Sequence, residues 1–334
     1  MVSGPEEGMY YLHVRHLNVE LPRNVSDDEL CMSGTSEATA DSQPTGMTYF
    51  LQRVRLAHLC RRMADAVPVT TSSLVKMPYQ NIIALDQDIL RFLSTLPYFF
   101  RLDADSQNRA RILESVYPNL GLLRYLITQA AHSRRCKLHQ KFLLRQSTDP
   151  RYAYSREACL ESARTVILSF EKLTDTGCSW NMVARMGTAV HYLHLALVVF
   201  VMDLCCNGDA ADGAEIKVEL QTILQRLECI KHVSLLLQRS LSSLYGVLQK
   251  NNIYLVDSTT SSNNPLDTWP ETQAASIRSS NAGNTGALDT AGHSDYLGSA
   301  FDTFLDRSWS PVAQIDPDAD VWDRMFCEFD RQFL

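Results

Sequence analysis

A chain of 334 residues, 45% hydrophobic and 21% charged, is long enough to bury a sizeable core and too apolar to be disordered throughout. Its formal charge of −7 excludes the basic excess of a dedicated nucleic-acid-binding domain. From Ser294 to Leu334 nine acids face three bases, so the acidity belongs to the tail and the body is close to neutral.

Residues 1–45 read as a polar loop segment. Its opening, MVSGPEEGMYYLHV, places Glu6 and Glu7 where a secretory signal would be basic, and no export signal is read there. The nine cysteines form no C-x-x-C pair, so free thiols in a reducing compartment are expected, without a metal framework.

From Gly46 to Val256 the apolar spacing is helical almost everywhere, which predicts an all-α, multi-helix bundle. A first helix is expected over Thr48–Ala66, ended by Pro68. In a second, Ile82, Leu85, Ile89, Phe92, Leu93 and Leu96 form one stripe that Pro97 stops. Arg109–Tyr117 is a third, and Pro118 separates it from Leu120–Arg145. After the Asp149-Pro150 turn, Ser155 is placed to cap the next helix with Glu157 in its first turn. Tyr152 and Tyr154 fall in the loop before it, rings on the core and hydroxyls on backbone. Trp180–Cys206 is apolar nearly all round and is expected at the centre of the bundle. It is read as a core helix, not a membrane span, because His191, His194 and Asp203 interrupt its most apolar run.

The last long helix repeats apolar residues at alternating steps of four and three from Ile216 to Leu248, with only Ser234 breaking the series. This suits a bundle helix whose stripe is wider than a coiled-coil seam, or a dimer seam through Leu220, Leu227, Leu241 and Leu248. From Asp257 to Ser294, 25 of 38 residues are Asp, Ser, Thr, Asn, Gly or Pro; residues 257–293 therefore read as a disordered linker. The tail, 294–334, sets Phe301, Phe304, Trp309, Trp322, Phe326, Phe329 and Phe333 among acids. That composition suits an activation segment with aromatic anchors, or a terminal helix that docks back on the body.

Little in the chain points to catalysis. His191 and His194 lie three apart on the central helix, but no third ligand follows from spacing, so core histidines are the expectation. The acids Asp27, Asp28 and Glu29 lack a second aspartate-rich motif, and no Gly-rich phosphate loop or nucleophile elbow is present. The cationic run His132, Arg134, Arg135, Lys137, His139, Lys141 and Arg145 spreads over more than half of a helix and is read as a solvated face. Catalytic, cofactor and metal sites are therefore expected to be none. An alternative is an all-helical sensor or enzyme with a cavity near His191, His194 and Asp203.

Three stretches together resemble the regulatory (middle homology) domain of fungal transcription factors of the zinc binuclear cluster class. They are LNVELPRNVSDDEL (Leu17–Leu30), LSTLPYFFRLD (Leu93–Asp103) and LHQKFLLRQSTDPRYAYSREACLESART (Leu138–Thr165). In the last, a histidine-bearing helix leads through a D-P-R-Y-x-x-S turn into the next helix; Gln140 and Lys141 depart from the family's frequent Arg-Pro. The resemblance, over roughly residues 10–250, implies a nuclear transcription regulator acting through co-regulators or the transcription machinery, with a homodimer among its options. The family's six-cysteine zinc module, which contacts DNA, has no counterpart among these cysteines. A truncated member, a fragment or a misplaced start is therefore expected, with zinc and DNA belonging to that module alone.

Overall fold

The structure, a computed structural model, describes residue 16 and residues 18–25, 43–67, 77–143 and 149–255. Among these residues there are nine α-helices, four short 3-10 turns and no strand, as the apolar periodicity predicts. The linker, the tail with its aromatic anchors Phe301 to Phe333, the acids Asp27 to Glu29, Pro68 and Arg145 lie outside the described residues.

Helix α1, Gly46–Ala66, starts two residues before the expected Thr48. Thr45 Oγ1 accepts from the Met47 amide, and Thr48 Oγ1 accepts from the Thr45 amide at 2.8 Å, which closes a capping box. Both hydroxyls also donate to Asn24 Oδ1, at 2.7 and 2.9 Å, pinning the polar segment before the helix. Helix α2, Tyr79–Thr95, buries Ile82, Leu85 and Ile89 as its stripe predicts, and buries Asp86 with them. Pro97 opens a 3-10 turn, Tyr98–Phe100, whose Phe99 and Phe100 are fully enclosed. Helix α3, Ala104–Val116, is capped by Asp103, which accepts from the Ser106 amide.

Helix α4, Leu120–Leu143, and helix α5, Ala153–Lys172, pack along each other more extensively than any other pair. Between them Asp149 caps a 3-10 turn, Pro150–Tyr152. In the first half of α5 most of the buried side chains are small, Ser155, Ala158, Cys159, Ser162 and Ala163, with Leu160 among them; Val166, Ile167 and Phe170 follow. Small side chains let the two backbones approach, and each of the thiols Cys136 and Cys159 donates to the other residue's carbonyl at 3.7 and 3.5 Å.

The expected helix Trp180–Cys206 is two helices, α6 (Trp180–Arg185) and α7 (Gly187–Asn207). Extended Met186 (ψ 93°) divides them, and Gly187 follows it. Helix α7 is the centre of the bundle: Val190, Leu193, Leu197, Val199 and Phe200 are each 1% exposed or less, with α4, α5 and the later helical segments Gly213–Ile230 and Leu235–Lys250 around them. It is long and apolar enough to cross a membrane by length and composition, but it is buried inside the fold, as a core helix is.

The long terminal helix is likewise divided, into α8 (Gly213–Ile230) and α9 (Leu235–Lys250). A 3-10 turn, Lys231–Val233, precedes Ser234, the residue that broke the apolar repeat. Extended Ser234 caps α9 through its side chain, which accepts from the Leu237 amide. The four leucines read as a seam, Leu220, Leu227, Leu241 and Leu248, are 0 to 4% exposed within one chain. They close the bundle around α7, so pairing two copies through them would require opening that core.

Candidate functional site: a buried ionic joint

The tyrosine turn between α4 and α5 sits over the least apolar part of the interior. Asp86 of α2 is fully buried and receives Arg135 Nε at 2.6 Å and Nη2 at 3.3 Å. The Tyr154 hydroxyl donates to Oδ2, which it shares with Arg135 Nη2, and His139 Nε2 lies 3.2 Å from Oδ1. Arg135 also reaches Glu161 on α5. Burial alone would push the Asp86 carboxyl up, but donation from His139, Arg135 and Tyr154 outweighs it and holds the group well below the usual carboxylate range. Burial opposes the charge on Arg135, and the carboxylates of Asp86 and Glu161 raise its pKa above the ordinary value.

Behind the carboxylate runs a second chain of hydrogen bonds. His139 Nδ1 is 2.9 Å from Ser155 Oγ, which is 2.7 Å from the Tyr79 hydroxyl. With the His139 proton on Nε2, Tyr79 donates to Ser155 and Ser155 to His139 Nδ1, while Nε2 faces Asp86 at 3.2 Å without the geometry of a full hydrogen bond. Rings seal the assembly, with Tyr79 edge-on to Tyr152 at 5.1 Å and His139 edge-on to Tyr154 at 5.7 Å.

A serine, a histidine and an aspartate in this order have the connectivity of a hydrolytic triad. Ser155, His139 and Asp86 are each 0% exposed, so no substrate carbonyl reaches the hydroxyl, and Arg135 and Tyr154 occupy the carboxylate as well. The group joins three helices, and its chemistry is cohesion.

The positions of these residues differ from those expected of the sequence. Ser155 was expected to cap a helix; the helix begins at Ala153, and the buried hydroxyl serves His139 and Tyr79. Tyr152 and Tyr154 were expected in the loop with hydroxyls on backbone; Tyr152 lies in the 3-10 turn, and Tyr154 lies in the first turn of α5 with its hydroxyl on Asp86. The cationic run was read as a solvated face, yet Arg135, His139 and Lys141 are 3, 0 and 9% exposed. A buried cation needs a partner, and Asp86 supplies it from 49 residues away. That aspartate interrupts the apolar stripe of α2, the one signal in the sequence that could have found the joint.

The proposed cavity residues are also structural. His194, 1% exposed, bonds through Nδ1 to Ser240 Oγ at 2.7 Å. Burial beside Lys137 and Arg134 pushes His191 down to about 3. Asp203, 1% exposed, is gripped by Arg156 Nε and Nη2 at 2.6 and 2.8 Å, and Arg156 also holds Asp212. No group of three metal-ligating side chains occurs among the described residues. Two open clefts lie elsewhere: one of about 730 Å³ along α5, lined by Arg156, Glu161 and Arg164, and one of about 610 Å³ between α3 and α4.

No protein-family model and no solved structure matches the chain. Curated fungal proteins do. The chain is 34% identical over 344 aligned residues, covering 99% of its length, to a probable transcription factor, lepB, of Aspergillus flavus. It is 32% identical, over 74% of its length, to the agnestins biosynthesis cluster transcription factor AgnL11 of Paecilomyces divaricatus. At 24% identity over 69% of its length it is similar to mpsB of Macrophomina phaseolina, a Zn(2)-C6 fungal-type transcription factor. The chain spans 59, 35 and 30% of those proteins. Along nearly its whole length, then, the chain is similar to a fungal protein named as a probable transcription factor, and over two thirds or more of its length to two further fungal transcription factors.

Proposed function

We propose that the chain is the regulatory and activating part of a fungal transcription regulator of the zinc binuclear cluster class, working in the nucleus through protein–protein contacts and not as an enzyme. The observation that carries this reading is the kinship over 99% of the chain with a protein named as a transcription factor. The bundle is the middle homology scaffold, with the ionic joint holding α2, α4 and α5 in register. The acidic tail presents Phe301, Phe304, Trp309, Trp322, Phe326, Phe329 and Phe333 to co-regulators or the transcription machinery, and the acids keep these anchors in water. Zinc and DNA contact belong to a cysteine-rich module that these nine cysteines do not form.

The test is a reporter assay with the full chain fused to a heterologous DNA-binding module in a fungal host. Activation above the bare module is expected, and replacing the seven aromatic anchors by alanine is expected to remove most of it. Activation equal to the bare module, or unchanged by the seven replacements, overturns the assignment of the tail.

A further inference from the structure

The cleft of about 610 Å³ lies between α3, the start of α4 and the 3-10 turn Leu173–Thr176. Its volume is that of a small-molecule site, and its built element is Arg124. This side chain lines the cleft although the residue is 3% exposed. Its Nε donates to the Phe99 carbonyl at 2.8 Å and its Nη2 to Glu114, so the guanidinium is held rigid in the wall. Glycine at 121 keeps the wall in place: a Cβ there would come within 3.0 Å of Thr176 Cγ2.

Charge decides what would fit. The two carboxylates of the lining already have cations, Glu114 from Arg124 and Asp175 from Lys172 at 2.9 Å. Arg111 stands exposed on α3 at the rim and makes no ion pair among the described residues; Asn108, one turn before it, is exposed as well. Two guanidinium groups, Arg111 and Arg124, line the cleft, and a planar fork of this kind matches an oxyacid anion. We propose that this cleft binds a small polar molecule through a carboxylate or phosphate group, held between Arg111 and Arg124 with Asn108 and Tyr125 as neutral partners. The anion competes with Glu114 for Arg124, so occupancy alters how α3 is tied to α4. Only the use of that coupling to control transcription rests on the function proposed above; the binding itself does not.

The purified full chain is titrated calorimetrically, at constant ionic strength, with inorganic phosphate and separately with malonate. Saturable binding of at least one probe is expected, weakened about tenfold (about 1.4 kcal/mol) in Arg111→Gln and also in Asn108→Asp, which sets a like charge at the rim. Arg62→Gln, an exposed arginine paired with Asp88, is expected to leave binding unchanged. Preference for phosphate or for malonate identifies the anionic group. Absence of saturable binding of either probe into the tens of millimolar, or equal affinity in wild type and both rim variants, overturns the proposal. The rim side chains are exposed, so both variants fold; unchanged melting temperatures check this. The reporter assay is blind to this outcome, so either reading can fail alone.

Discussion

The two halves of the interior are built on different principles. Around α7 the core is aliphatic and aromatic: Val190, Leu193, Leu197 and Phe200 fill space without direction, and each can be replaced by a side chain of similar volume. Where α2, α4 and α5 meet, the interior is ionic, with Asp86, Arg135, His139, Ser155 and Tyr79 each fixed by a partner. Desolvating the apolar set is favourable, whereas desolvating the ionic set is costly unless every member is satisfied. Apolar packing thus supplies the cohesion of the bundle, and the joint specifies one register of α4 on α5 out of several that small residues would permit.

The largest expected effect separates these principles. Asp86→Ala leaves the Arg135 guanidinium buried without its main carboxylate and is expected to cost about 3–5 kcal/mol in urea unfolding. The double replacement Asp86→Leu with Arg135→Met removes both charges and is expected to recover most of that loss. A single variant costing less than about 1 kcal/mol would mean that the joint is not the ionic lock described.

A second effect sharpens the comparison through pH. His132, 3.2 Å from Ser162 Oγ, is pushed down to about 4 by burial and by the neighbouring Arg135. It is neutral in the folded chain, while the unfolded chain takes up a proton below the ordinary value of 6.5. Stability is therefore complete above that value and falls as pH drops toward 4, by up to about 1.4 kcal/mol per pH unit. His191, on α7, acts with the same sign down to about 3. Asp86, whose pKa is depressed, adds its own loss only below its ordinary 3.8. Urea midpoints between pH 7.5 and 4 are expected to fall less steeply in His132→Gln than in wild type; identical slopes would remove His132 from the account.

The smallest effect concerns the division of the terminal helix. Ser234→Ala deletes the cap of α9 and is expected to lower stability by about 1 kcal/mol. A gain in stability would instead mean that the chain prefers one continuous helix there, as the 3.5-residue spacing alone suggests. Melting temperature and helical content by circular dichroism distinguish the two outcomes.

Much of the scaffold is legible along the chain because its causes are local. The stripe of α2, the stop at Pro97 and the uniform apolarity of α7 each give an element its type and its place. The breaks at Met186 and Ser234 were harder to read, since an apolar repeat continues across both while the backbone turns. The α3–α4 cleft left no mark, for its walls come from three separated segments.

The amino-acid order by itself determined that this chain is a helical bundle followed by a compositionally distinct acidic tail. Periodicity, prolines and caps act over a few residues and do not depend on what packs against them. Only the tertiary structure decided which polar residues are inside. Asp86, Arg135 and Asp203 become interior once distant helices converge, with Arg156 reaching in to Asp203. The reason is that the free energy of a charge depends on the medium and partners around it, and neither is encoded in its neighbours along the chain.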